Sequence, residues 1–155
     1  MSATDGASSA VTAVIAIDGS QQSEQAFYWY VKNVHKEGNN VVLVHGQELP
    51  PMPTRDSWDQ QMQAGKKKRD EIQGKYMEKF QQCGIKGKFI SDFEKPGEFI
   101  CETAKKENAS YVVMGTRGLG KIRRTIMGSV SDYVVHHATC PVLVCRNAEK
   151  TSAAT

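Results

Sequence analysis

At 155 residues, with 39% hydrophobic and 24% charged residues, the chain has the size and make-up of one folded globular domain, and a second would hardly fit. A net charge of +3, from 20 Lys+Arg against 17 Asp+Glu, is too mild to point to nucleic acid, and no apolar run approaches the roughly 20 residues that cross a bilayer. The small, polar residues 1–10 lack the basic and apolar parts of an export signal, and Cys83, Cys101, Cys140 and Cys145 include no C-x-x-C pair, so they read as reduced, mostly buried thiols of a cytoplasmic protein.

Residues 11–17 form an apolar, β-branched run, as in a strand covered on both faces, and Asp18-Gly19-Ser20 ends it. From 22 to 35, Ala26, Phe27, Tyr30, Val31 and Val34 make a helical stripe, with Tyr30 packing inward and Tyr28 and Trp29 covering surface. A second apolar strand, 41–44, closes with His45-Gly46 before a proline-punctuated loop at Pro50, Pro51 and Pro53. Residues 59–82 are charged, and Ile72, Tyr76 and Phe80 mark the narrow buried stripe of a long exposed helix. Its run Lys66-Lys67-Lys68-Arg69 points in several directions on a helix and reads as a solvated face rather than a nucleic-acid patch. Residues 88–93 alternate as in a half-exposed edge strand, Pro96-Gly97 opens a helix to about 106, and 111–114 is another apolar strand. Val130, Tyr133, Val134 and His137 mark a last helix, and 141–145 a fifth strand. Strands alternating with helices predict an α/β three-layer sandwich, a parallel sheet between helix layers, with residues 1–10 and 148–155 as flexible tails.

In such a sheet ligands bind beyond the carboxyl ends of the strands where the strand order reverses. Three ends stand out: Asp18-Gly19-Ser20, His45-Gly46, and Gly115-Thr116-Arg117-Gly118, which leads to Gly128-Ser129 at the start of the last helix. Glycines let bare backbone approach a ligand, and a helix N-terminus offers unpaired N–H groups and a dipole of roughly half a charge to a phosphate. Arg117, Lys121, Arg123 and Arg124 add positive charge, and Ser129 a hydroxyl. The plainer alternative is that Gly115 and Gly118 only turn the chain while Ser129 caps a helix, with Asp132 completing a capping box. The combination favours a phosphate site, although it is neither a P-loop nor a G-x-G-x-x-G turn.

Gly115, Gly118, Gly128 and Ser129 fit the spacing G-2x-G-9x-G-[ST], and with Val14-Ile15-Ala16-Ile17-Asp18-Gly19-Ser20 and Cys140-Pro141-Val142-Leu143-Val144 the chain resembles the ATP-binding universal stress proteins over nearly its whole length. The resemblance implies a Rossmann-like five-stranded parallel sheet of order 3-2-1-4-5 and a bound ATP, AMP or ADP, with Mg²⁺ accompanying the triphosphate. It places Ile17 and Asp18 at the adenosine end and Gly46, where many relatives carry a larger apolar residue, against adenine. Met114, Gly115, Arg117 and Gly118 fall along the ribose and phosphates, and Gly128, Ser129, Val130 and Ser131 at the phosphate-binding helix start. It also implies a homodimer through the last strand, in keeping with a Val142–Cys145 edge that carries no charge, proline or glycine.

His136 and His137 point about 100° apart on a helix and are not expected to share a metal, and His45 reads as a core or orienting histidine rather than a base. No nucleophile, base and orienting acid can be assembled, so the expectation is a nucleotide-dependent sensor or regulator of a stress response, not an enzyme. The alternatives are a slow Mg²⁺-dependent nucleotide hydrolase or phosphotransferase and a dimeric chaperone-like interaction module.

Overall fold

The computed structural model describes residues 10–49, 51, 54–116 and 128–146. In chain order these form β1 (Thr12–Ala16), α1 (Gln21–Asn33), β2 (Asn40–Gly46), α2 (Arg55–Cys83), β3 (Gly87–Asp92), α3 (Pro96–Lys106), β4 (Tyr111–Gly115), α4 (Ser129–His137) and β5 (Val142–Cys145). The strands make one all-parallel sheet in the order β3-β2-β1-β4-β5, as expected, with β1 paired to β2 from Thr12↔Asn40 to Ala16↔Val44 and to β4 at Val14↔Val112.

The unbroken apolar strands are explained by the two faces they cover. Side chains of a strand alternate between faces, and here Ala13, Ile15, Val41, Leu43 and Val113 pack with Phe27 and Tyr30 of α1 and with Ile72, Tyr76 and Phe80 of α2. Val14, Val42, Val44, Val112 and Met114 face the other way, against Phe99, Ile100 and Ala104 of α3 and Val134 of α4. Each large apolar side chain withdrawn from water in this way contributes about 2 kcal/mol.

Two of the departures from the expected boundaries have a visible cause. Strand β2 continues through His45 and Gly46 because β3 pairs with it as far as Gly46↔Asp92. Helix α2 starts at Arg55 because Thr54, outside the charged pattern, caps it by accepting the Ser57 N–H at 3.0 Å. The thiols also depart from expectation: Cys83 ends α2 in solvent and is exposed, and Cys101, Cys140 and Cys145 are only half-buried. The tails beyond residues 10 and 146 lie outside the described residues. Among the described residues no helix is long and apolar enough to cross a membrane.

Candidate functional site

Strand order reverses at β1, whose neighbours β2 and β4 lead off in opposite directions, and a cleft opens there beyond the carboxyl ends. Its empty volume is about 640 Å³, part of it open to solvent. One wall is the turn after β1. Gly19 takes φ +85°, Asp18 Oδ1 accepts the Ser20 N–H at 2.9 Å, and the Ser20 hydroxyl accepts the Ser23 N–H at 3.1 Å. The turn thus caps α1 with its own side chains, the role for which serine suits a helix start.

The opposite wall is the start of α4. Its N-cap is Gly128, in extended conformation, and among the described residues no side chain caps the helix. The capping-box alternative for Ser129 and Asp132 therefore fails: Ser129 is the first helical residue, and a hydroxyl inside the helix has left the position from which it accepts first-turn N–H groups. Ser131 is buried and donates its hydroxyl to the Gly115 carbonyl at 3.2 Å, tying the helix start to the end of β4. Between the walls, Val44, Ile100, Met114 and Val130 give the cleft an apolar floor.

Of the residues the sequence singles out, Ile17, Asp18, Gly46, Met114, Gly115, Gly128, Val130 and Ser131 line this cleft together. Ser129 adjoins it, exposed to solvent, and is not part of the lining. Arg117 and Gly118 lie outside the described residues, as do the cations Lys121, Arg123 and Arg124. The structure also supplies a packing reason for Gly115: a Cβ there would come within 2.6 Å of the Gln22 carbonyl oxygen, so this glycine lets α1 settle on β4. A Cβ on Gly46 would stand 3.0 Å from the Pro96 Cα and 3.3 Å from the Phe99 ring, so the β3–α3 connection occupies the room a larger side chain would use.

Ser20, Gln22, Ser23, Pro96 and Thr116 also line the cleft and were not singled out as site residues. Ser20 and Thr116 sit inside the quoted strand-end motifs, so the signal for them was present. Pro96 was legible only as a helix opener, because nothing local says that the end of β3 comes back over β2.

His45 joins the two central strand ends from beneath. Its Nδ1 donates to the Ile17 carbonyl at 2.8 Å, which fixes the tautomer, since a carbonyl can only accept. The Nε2 lone pair is buried without a partner among the described residues. Burial lowers its pKa, opposed by the Ile17 bond and reinforced by the nearby Lys68, so the ring is neutral near pH 7. His136 and His137 donate instead to the carbonyls of Asp132 and Tyr133 on their own helix. Among the described residues no three His, Cys, Asp or Glu side chains gather into a group that could hold a metal.

The sequence profile of the Universal stress protein family matches residues 12–146. The chain belongs to that family. A Staphylococcus aureus (strain USA300) relative that carries the family name is 31% identical over 139 residues, 88% of this chain and 84% of its own. Among solved structures, the hypothetical protein MJ0577 superimposes with a TM-score of 0.79 at 20% identity, over 88% of this chain and 95% of that one. An Arabidopsis thaliana family protein with AMP bound gives 0.70 at 22% identity, over 91% and 95%. Two further universal stress proteins, one in complex with cAMP and one from Archaeoglobus fulgidus with dAMP, give 0.67 and 0.60, each at 20% identity over 87% of this chain and 96% of theirs. At these identities the structural likenesses speak for the fold.

Proposed function

We propose that this universal stress protein binds an adenine nucleotide, ATP or else AMP or ADP, across the cleft at the reversal of strand order. The observation that carries this reading is the start of α4: a helix N-terminus without a side-chain cap among the described residues, at the end of a cleft with an apolar floor. Such an end stabilises negative charge through its N–H groups and dipole. The AMP, cAMP and dAMP held by proteins of the same fold support an adenine nucleotide as the ligand. In this reading Gly128, Ser129, Val130 and Ser131 meet the phosphates with Arg117 and Gly118, Met114 and Gly115 run beside the ribose, and Ile17, Asp18 and Gly46 take the adenosine end. Mg²⁺, where it accompanies a triphosphate, would offset the charge of the phosphate oxygens.

The nucleotide acts as a signal rather than a substrate, and shifts the population of conformers or assemblies in a stress response. Assembly uses the half-buried edge strand β5, which carries Val142, Leu143, Val144 and Cys145 and pairs with its copy in a two-fold dimer. Residues 1–155 act as a single domain around the one sheet. Calorimetric titration with ATP, ADP and AMP tests the reading, with Arg117→Ala expected to weaken ATP more than adenosine. Turnover should stay far below about 1 per second with saturating Mg²⁺. A fast steady-state ATPase lost in Asp18→Asn would replace the sensor by an enzyme. A Val144→Lys chain that sediments as the wild type does would remove the β5 dimer.

A further inference from the structure

The backbone ladder between β1 and β2 ends at Ala16↔Val44, just short of Ile17 and Asp18, which line the first cleft. Past that point the Ile17 N–H still donates to the Val44 carbonyl at 2.9 Å, but the Ile17 carbonyl finds its partner in a side chain, the Nδ1–H of His45 at 2.8 Å. On its amide side the Ile17–Asp18 peptide has a longer bond, 3.4 Å from the Asp18 N–H to the Ser23 hydroxyl. The placing of this peptide therefore leans on the imidazole.

That ring sits where a positive charge is costly. It is 1% exposed, and its two nitrogens differ: Nδ1 is bonded to Ile17, whereas Nε2 is buried with no partner among the described residues. A lone pair left unbonded costs little beside a buried N–H⁺ that has no acceptor. The charges that reach the ring are mostly of the wrong sign. From α2, Lys68, which has no ion pair among the described residues, and Arg69, which pairs with Asp70, both oppose a cation. Asp18 of the β1 turn favours one, and β3 contributes the uncharged ring of Phe89, stacked at 6.2 Å. A ring that gains a proton is driven out towards water, and its bond to Ile17 is lost as it goes.

Resting on the nucleotide reading above, we infer that His45 makes the adenosine end of the site proton-sensitive: the neutral ring latches the Ile17–Asp18 peptide in place, and the protonated ring releases it. Nucleotide and proton then oppose each other without touching, because each favours a different state of the same latch. A ligand that binds the latched form resists proton uptake. Its affinity is full above the pH at which His45 of the free protein titrates and is lost as the pH falls through that value.

The test is calorimetry on the full chain with cAMP, an adenine nucleotide that keeps one charge state over the range in which histidine titrates, about pH 8 to 5.5. Wild-type affinity should fall about five-fold across this range, the worth of one hydrogen bond. Lys68→Ala removes an exposed charge that opposes protonation, so its fall should begin at higher pH. His45→Asn sets an amide N–H where the Nδ1–H stood and cannot titrate; it should bind nearly as the wild type does at pH 8 and show no fall. His45→Leu has no donor and should be about five-fold weaker at every pH, yet bind inorganic tripolyphosphate, which reports the phosphate end alone, as before at pH 8. A flat wild-type profile, an acid loss undiminished in His45→Asn, or a Lys68→Ala profile that superimposes on the wild type overturns the inference alone. The Lys68 arm decides even where the His45 variants do not fold. A wild type that binds neither cAMP nor tripolyphosphate at pH 8 overturns the nucleotide reading and this inference with it.

Discussion

Two helix starts face each other across the first cleft and solve the same problem differently. At α1 the turn Asp18-Gly19-Ser20 satisfies backbone N–H groups with its own side chains, Asp18 for Ser20 and Ser20 for Ser23. At α4 the cap is Gly128, which has no side chain to offer. Every helix begins with N–H groups lacking an intrahelical acceptor. A start that is self-capped has spent part of its capacity for anions, whereas a glycine start keeps it. Two helices thus border one cleft and differ in a single cap residue, Ser20 in one and Gly128 in the other.

The sharpest way to break the contrast is at the contact where α1 meets β4. Gly115→Ala would press a methyl group against the Gln22 carbonyl oxygen, and overpacking against rigid backbone should cost about 3 kcal/mol in denaturant unfolding. A variant as stable as the wild type would show that α1 can retreat freely. Next comes the exchange of caps. Gly128→Asp gives α4 a self-cap of the kind α1 already has, and Gly128 has φ −76°, which any residue can adopt. The added carboxylate competes for the same N–H groups, so AMP affinity should fall about ten-fold while stability is held or slightly raised. Equal affinity would take the phosphate away from this helix.

The converse, Ser20→Ala, should cost about 1 kcal/mol of stability and leave tripolyphosphate binding as it was. A smaller effect follows from the histidine beneath the site. Burial holds the His45 pKa below its unfolded value of about 6.5. The unfolded chain therefore binds the proton more readily, and stability falls as pH drops below about 6.5, until the folded pKa is reached. Glu24, held low by its hydrogen bond to Lys75, acts only in the carboxylate range further down. The melting temperature should decline from pH 7 to pH 5, and His45→Gln should flatten that decline. A slope unchanged in the variant would assign the effect elsewhere.

What was legible in the sequence is what neighbouring residues decide among themselves. The runs at β1 and β4 are apolar throughout because both faces are covered, and Ile72, Tyr76 and Phe80 announce the buried stripe of α2 by spacing alone. The order β3-β2-β1-β4-β5 was reached through family resemblance, since no local pattern says which strand lies beside which. Pro96 stayed hidden as a lining residue for the same reason, and so did the need for glycine at Gly115, which is set by a helix start some ninety positions earlier in the chain. Cysteine usage alone overstates the burial of the thiols, because Cys145 belongs to an edge strand and Cys83 to the solvent end of a helix.

Helix α2 carries its fully buried residues, Ile72, Tyr76 and Phe80, in its second half, and the first half leans over the strand ends with only Ser57, Trp58, Met62, Gly65 and Arg69 half-covered. Such a helix has one stable end and one end with less to lose on opening. Its amide hydrogens should exchange on a gradient, fastest near residue 55 and slowest near residue 80.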